Sequence, residues 1–183
     1  SGTIDGSDRR VIGKATPDFT VGWNNTLTYK NWDLNLFFNG AFGADRLNLA
    51  RFTMASMVGD SRFITLREAY TDNFDKVGQS AIYPGLKVAG NNYQAVSTKW
   101  VEDASYVRLE NISLSYNLSK KVTKFADIRL TLSCQNLFTI TGYKGMDPVG
   151  TTFSNDNVDV DAGIDMGAYP TPRTFTFGVR MNF

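Results

Sequence analysis

Histidine is absent from this 183-residue chain, and cysteine occurs once, as Cys134. Without histidine the chain lacks the commonest general base and the commonest metal ligand. Ser-His-Asp and Cys-His nucleophile systems are therefore excluded. A single cysteine excludes an intramolecular disulfide and every zinc-cluster spacing. Cys134 lies in an alternating segment, where it reads as a small apolar residue. No apolar run approaches the roughly 18 residues of a membrane-crossing helix. No leader peptide is visible, so either it has been removed or this chain is not the N-terminal part of its protein. An excess of one charge is missing too. The 19 basic and 18 acidic residues nearly cancel, and no basic block points to nucleic acid.

What the chain does have is alternation. In residues 174–183, Phe175, Phe177, Val179, Met181 and Phe183 are apolar, while Thr174, Thr176, Gly178, Arg180 and Asn182 between them are polar or small. Successive side chains of a strand point to opposite faces, so this stretch has one apolar and one polar face. Four further segments repeat the pattern. Phe19, Val21, Trp23, Leu27 and Tyr29 alternate with Thr20, Gly22, Asn24, Thr26 and Thr28; Trp32, Leu34, Leu36, Phe38 and Phe42 follow in the same phase. Ile112, Leu114, Tyr116 and Leu118 oppose Ser113, Ser115 and Asn117, and Ile128, Leu130, Leu132, Cys134 and Phe138 oppose Arg129, Thr131, Ser133 and Gln135. Asp33, Arg129 and Arg180 all fall on the polar face. An arginine on a lipid-facing position near the bilayer midplane costs about 2–4 kcal/mol, so this sorting is what a membrane requires. Val107 and Leu109 are out of phase with Ile112, which calls for a bulge or for a strand that rises above the membrane.

The connections alternate as well. Residues 30–31 and 119–126 are short links, whereas 44–105 and 141–173 are long, as in barrels with short periplasmic turns and long extracellular loops. Aromatic residues cluster near strand ends, Tyr29, Trp32, Tyr116 and Phe183 at the short-turn side and Phe19, Phe42, Phe138 and Phe175 at the other. The expected fold is all-β: a transmembrane antiparallel β-barrel with strands at about 19–29, 32–43, 106–118, 127–140 and 174–183. A soluble β-sandwich is the alternative. Five strands cannot close in lipid, so the first must pair with strands outside this chain.

Several motifs then share one resemblance. Residues 8–13 (DRRVIG) with 16–19 (TPDF), 67–73 (REAYTDN), 102–116 (EDASYVRLENISLSY), 135–138 (QNLF), 145–148 (GMDP) and 169–175 (YPTPRTF) occur in that order. Together they resemble the C-terminal part of SusC/RagA-type TonB-dependent outer-membrane transporters. Tyr70 stands where that family usually has Trp. The resemblance implies a 22-stranded plugged barrel, of which residues 1–183 would supply the last five strands and the long extracellular loops. It also implies partners: the rest of the same barrel, a SusD/RagB-type surface lipoprotein, outer-membrane lipid, and TonB through an N-terminal region and plug that are not in this chain. The implied function is import of glycans or oligopeptides across the outer membrane of a Bacteroidota-like Gram-negative cell. A passive porin-like barrel and a soluble extracellular β-rich binding module are the competing readings.

No catalytic constellation, cofactor or metal ligand set is found, and an enzyme is not expected. Asp156, Asp159, Asp161 and Asp165 read as a solvated acidic run in a loop, without the spacing of a calcium loop. Residues 2–8 (GTIDGSD) resemble the tail of a calcium-like loop whose first ligands would precede Ser1. Flat aromatic faces with polar tips are how sugars and apolar solutes are gripped, so Tyr70, Tyr93, Phe153 and Tyr169 are the candidate solute-binding residues, with packing inside their own loops as the competing role. Phe63, Leu66, Tyr70 and Phe74 share one face at helical spacing and suit a loop core or a contact with the lipoprotein. By resemblance, Phe175, Phe177, Val179, Met181 and Phe183 close the barrel and form the signal read by the assembly machinery. Deletion of Phe183, or Phe183→Asp, is expected to reduce insertion; outer-membrane levels equal to wild type on a heat-modifiability gel would refute that role.

Overall fold

The structure, a computed structural model, describes residues 6–55, 96–150 and 163–183. The chain divides into two compact units.

The first unit described is built from Pro17–Ala44, Ala104–Gly142 and Pro170–Phe183. It is a single sheet of five long strands: β1 (Phe19–Tyr29), β2 (Trp32–Phe42), β5 (Tyr106–Leu118), β6 (Asp127–Thr141) and β8 (Thr174–Asn182). Their order is β1-β2-β5-β6-β8, with every pair antiparallel. Period-2 alternation, rich in aromatic and β-branched residues, suits a pleated sheet, and the cross-strand register lines the apolar positions up in rows. One row runs Leu27, Leu34, Leu114, Leu132, Phe177; the next runs Tyr29, Trp32, Tyr116, Leu130, Val179. Phe19 stacks on Phe42 at 4.9 Å between ring centroids, Trp23 on Phe38 at 5.5 Å, and Trp32 meets Tyr116 at 4.6 Å.

Two offset bulges repair the phase break seen in the sequence. Phe37 lies opposite Asn111 and Phe38 opposite Leu109, so Glu110 has no partner on β2. On the other side Leu109 faces Phe138 and Asn111 faces Gln135, which leaves Asn136 and Leu137 of β6 to span the same gap. Asn136 takes φ 53°, a left-handed conformation that asparagine tolerates better than most residues. The extra residue brings Val107 and Leu109 onto the same face as Ile112. The other local adjustments are in the turns: Lys30 at φ 53° in the two-residue turn, and Lys124 at φ 69° closing α2 (Lys120–Thr123).

This sheet has almost no interior. Its apolar face leaves Trp23, Leu27, Tyr29, Leu132, Phe175, Phe177 and Met181 more than half exposed. Its buried hydrophobic residues are only Ala104, Leu109, Ala126 and Cys134. A water-soluble protein does not present a continuous apolar face of this extent without a partner; hydrocarbon is the solvent that suits it.

The second unit is built from Ser1–Thr16, Asp45–Asp103 and Tyr143–Tyr169. Its described part centres on β3 (Asp45–Asn48), which pairs antiparallel with β4 (Val101–Asp103) and parallel with β7 (Ile164–Asp165). The short helix α1 (Leu49–Ala55) follows β3 directly.

Among the glycines within the strands of the wall, Gly40 has the least room. It stands in the row Val21, Gly40, Val107, Ile140, and a Cβ there would lie 2.8 Å from the backbone oxygen of Tyr106 and 3.2 Å from Val21 Cγ2. Gly40→Ala is expected to destabilise the barrel by about 1–3 kcal/mol, since the obstacle is backbone rather than a movable side chain. The check is the temperature at which the folded band converts to the unfolded one in SDS; an unchanged temperature would contradict it.

Candidate functional site

The polar face of the wall is held by side-chain hydrogen bonds between neighbouring strands. Asp33 is the main junction. It accepts from Thr28 Oγ1 at 3.0 Å and from Asn117 Nδ2 at 2.9 Å, and pairs with the Arg129 guanidinium at 3.2 Å. Asn35 Nδ2 donates to Thr26 Oγ1 (2.9 Å) and Asn24 Oδ1 (3.2 Å), and Ser115 and Thr131 hydroxyls meet at 2.9 Å. Farther along, Asn39 Nδ2 donates to Glu110 Oε2 at 2.5 Å, so the bulge residue is used to tie β5 to β2. Arg108 donates to the Thr139 hydroxyl at 2.8 Å and to that of Thr171 at 3.3 Å. These groups are short and polar, which suits a hydrated lumen rather than a dry core. Arg180 sits directly opposite Arg129 on β6. Asp33 neutralises only one of the two, and Arg180 makes no ion pair among the described residues.

The second unit is organised around buried polar groups. Arg46 extends from β3 into the segment after β6, where its guanidinium donates to the carbonyls of Asp147 (3.3 Å), Gly150 and, at a long 3.5 Å, Val149. Asn48 Oδ1 accepts from the Arg51 amide at 2.9 Å and so caps the start of α1. Arg51 pairs with Glu102 at 2.9 Å, and the other oxygen of Glu102 accepts the Lys144 amide at 2.9 Å. Phe52 packs edge-on against Trp100 at 5.4 Å.

Asp165 is only 1% exposed. It accepts the Tyr143 hydroxyl at 2.6 Å and the amides of Gly167 (2.8 Å) and Ala168 (2.9 Å). Burial raises its pKa, but these hydrogen bonds and the nearby Arg46 charge outweigh that and hold the carboxyl below the ordinary range. Burial first, and then the carboxylate it serves, push the Tyr143 phenol far upward. Gly145 is required by the same arrangement, because a Cβ there would lie 2.3 Å from the Tyr143 ring and 2.7 Å from Asp165 Oδ2. Beside this cluster is a cavity of about 610 Å³, lined by Leu49, Met54, Met146 and Met166 among others.

The acidic run is thus partly corrected. Asp165 is not solvated but is a buried acceptor that fixes the loop; Asp156, Asp159 and Asp161 lie outside the described residues. Of the candidate solute-binding aromatics, Tyr169 is 87% exposed. Tyr70, Tyr93 and Phe153 lie outside the described residues, as does the helical stripe Phe63, Leu66, Tyr70 and Phe74. Phe175, Phe177, Val179 and Met181 lie opposite Cys134, Leu132, Leu130 and Ile128 on the apolar face, and Phe183 follows the last strand residue at 88% exposed. Arg46, Tyr143 and Gly145 are the residues that sequence reasoning did not single out individually. Gly145 and Asp147 belong to the GMDP motif, and Asp165-Met166-Gly167 carries the spacing of an Asx turn, which is the local signal for this site. The carboxylates of Asp45, Glu102, Asp147 and Asp165 in this unit are engaged in structural hydrogen bonds.

No protein-family model matches the chain. TonB-dependent receptor P3 of Formosa agariphila is 37% identical over 190 residues, covering all of this chain and 18% of that protein. TonB-dependent receptor SusC of Bacteroides thetaiotaomicron is 28% identical over 188 residues, covering all of this chain and 17% of that protein. The chain therefore spans under a fifth of the length of the curated relatives it matches. Among solved structures, the RagAB peptide transporter superposes with a TM-score of 0.71 at 22% identity, over 92% of this chain and 17% of that one. The 'closed-closed' state of the RagAB peptide importer superposes with a TM-score of 0.74, over all of this chain and 20% of that one. The fold is accordingly that of a transmembrane β-barrel, and the sheet is open because only part of the ring is present.

The Asp165 carboxylate gives the second unit a pH limit. A carboxyl held below its ordinary pKa of about 4 contributes stability above that pH and loses it as pH falls through the depressed value. Tyr143→Phe removes its shortest hydrogen bond, worth about 1.5–3 kcal/mol to a charged acceptor. The variant's loops are expected to become protease-sensitive at a higher pH than wild type during acidification. Coincident profiles in limited proteolysis from neutral pH downward would contradict this.

Proposed function

We propose that this chain, which matches TonB-dependent receptors, SusC among them, over its whole length, is the C-terminal barrel segment of an energy-coupled importer in the outer membrane of a Gram-negative, Bacteroidota-like cell. The observation that carries the proposal is the sorting of the wall. One face is apolar and exposed, the other carries polar bridges between neighbouring strands, and the edge strands β1 and β8 each lack a second paired neighbour among the described residues. The segment supplies barrel wall, extracellular loops and the strand that closes the ring. The solute is an oligopeptide or a glycan, captured between the loops and a SusD/RagB-type surface lipoprotein. TonB engages the N-terminal part of the receptor and moves a plug to open the path. Tyr70, Tyr93, Phe153 and Tyr169 are the aromatic contacts proposed for the solute, and Phe175 to Phe183 the closure and assembly strand.

The test has two readouts on cells expressing the full-length receptor. The detergent-extracted particle is expected to be large and heat-sensitive in SDS and to contain a lipoprotein. Uptake of labelled oligopeptides or oligosaccharides is expected to collapse when TonB is inactivated. Uptake that persists without TonB would replace this reading with a passive porin-like barrel, and a species soluble without detergent would replace it with an extracellular binding module.

A further inference from the structure

Both short connections of the wall lie at one end of the sheet, since β1-β2 and β5-β6 are antiparallel neighbours. That end is basic and greasy at once. The connection between β5 and β6 carries Lys120, Lys121 and Lys124, all exposed. Val122, 68% exposed, stands between the lysines, and Phe125, 56% exposed, follows the last of them. The neighbouring turn adds Lys30, whose ammonium lies 5.3 Å from the centre of the Tyr29 ring. The acidic side chain next to this connection in sequence is Asp127, and one of its oxygens already accepts the Lys120 amide at 2.5 Å. Asp33, the nearest acid on the polar face, is paired with Arg129.

The connection is also firmly built. Lys124 closes α2 by donating its amide to the Lys120 carbonyl at 2.8 Å, and the Thr123 hydroxyl donates to the Ala126 carbonyl. Ala126 is fully buried beneath. The adjacent turn is fastened by the Asn117 amide, which donates to the Asn31 carbonyl at 2.8 Å. Two large apolar side chains therefore stand in the open because of their position, not because the segment is loose.

We propose that this rim, Lys30 with Lys120, Lys121, Val122, Lys124 and Phe125, is an interfacial anchor that recruits anionic phospholipid headgroups of the leaflet on the short-turn side. The proposal rests on the barrel reading above. Its occupant follows from continuity with the membrane face, since Tyr29, Trp32 and Tyr116 form one row of that face immediately beside these turns. Tyr and Trp rings belong at the headgroup level. A segment one to nine residues beyond that row stands in the same interface. There Val122 and Phe125 enter the acyl boundary, while lysines extend to the headgroups and attract negative lipid. Short turns face the periplasm, so the leaflet concerned is the phospholipid one.

The test uses the full-length receptor in nanodiscs of phosphatidylcholine mixed with phosphatidylglycerol, alongside the K120Q/K121Q/K124N variant; Asn suits the left-handed backbone at position 124. Native mass spectrometry reads the lipids retained, and a spin label at Val122→Cys reads depth through its accessibility to oxygen against a water-soluble relaxer. Wild type is expected to retain phosphatidylglycerol several-fold over its share in the disc, the variant to lose that preference, and the label to report lipid. If the receptor inserts and remains heat-modifiable but both forms retain the same lipids and the label is water-accessible, the anchor is refuted and the barrel reading survives. A label shielded only when a periplasmic protein is added also refutes it, and assigns the rim to that protein. Failure of the receptor to enter any bilayer would overturn the barrel reading itself. The label arm is in the wild-type lysine background, so it decides the matter even where the triple variant fails to fold.

Discussion

Hydrocarbon offers no hydrogen-bond partner to a backbone amide, and each group left unsatisfied there costs several kcal/mol. The wall is arranged around that constraint. Its five strands are paired over nearly their full lengths, eleven residues of β1 against eleven of β2 without interruption. The one irregularity is confined to the Glu110 and Asn136 bulges, where side chains of the polar face take over from the ladder: Asn39 reaches Glu110, and Asn136 reaches the Pro172 carbonyl. The same constraint makes the open edges of β1 and β8 untenable alone in a bilayer, so the chemistry of the backbone, more than any side chain, requires the remaining strands of the ring.

A sheet with lipid on one side and water on the other cannot be stabilised by a hydrophobic core, and this one barely has any. Cohesion comes from the backbone ladder, from rings packed across strands such as Phe19 on Phe42 and Trp23 on Phe38, and from polar bridges on the other face. The bridges fix register. A one-residue slip would move Asp33 and Arg129 to the lipid face and the leucine row into the lumen, so the sorting of faces is itself a strong term against misregister. The second unit follows different rules. Its order depends on a few buried polar groups, Arg46 holding carbonyls and Asp165 holding a phenol and two amides, which resemble the pins of a loop rather than a core.

This difference explains what was legible in the sequence. Period-2 alternation is a local signal, so the fold class and the faces of Trp23, Leu132 or Phe177 were readable directly. The mismatch of Val107 and Leu109 with Ile112 was legible as a break, but only the pairing of β5 with β2 and β6 located it at Glu110. The left-handed residues Lys30 and Lys124 gave no composition signal, because lysine is not a residue that such turns favour. Asp165 was misread for a different reason. It is held by Tyr143, 22 residues earlier, and by a turn whose Asp-x-Gly spacing was outweighed by the other acids around it. A loop stabilised by long-range polar contacts leaves no periodicity behind.

The two kinds of construction have consequences for how such a chain can change. In the wall, a substitution is judged mainly by which face it lands on: polar residues can be exchanged among Thr, Ser and Asn in the lumen, and aliphatic ones among Leu, Ile and Val outside, without touching the ladder. In the loop unit the constraint is stereochemical. Gly145 has no room for a methyl group beside Tyr143 and Asp165, and Arg46 satisfies carbonyls from three separate residues, so replacement of either leaves a buried group unpaired or a ring displaced. Side chains on the exposed surface of this unit, Tyr169 among them, are therefore free to vary while the buried polar groups stay fixed. The two units thus separate a scaffold whose sequence is set by its solvents from a surface whose buried polar groups leave its exposed side chains open to substitution.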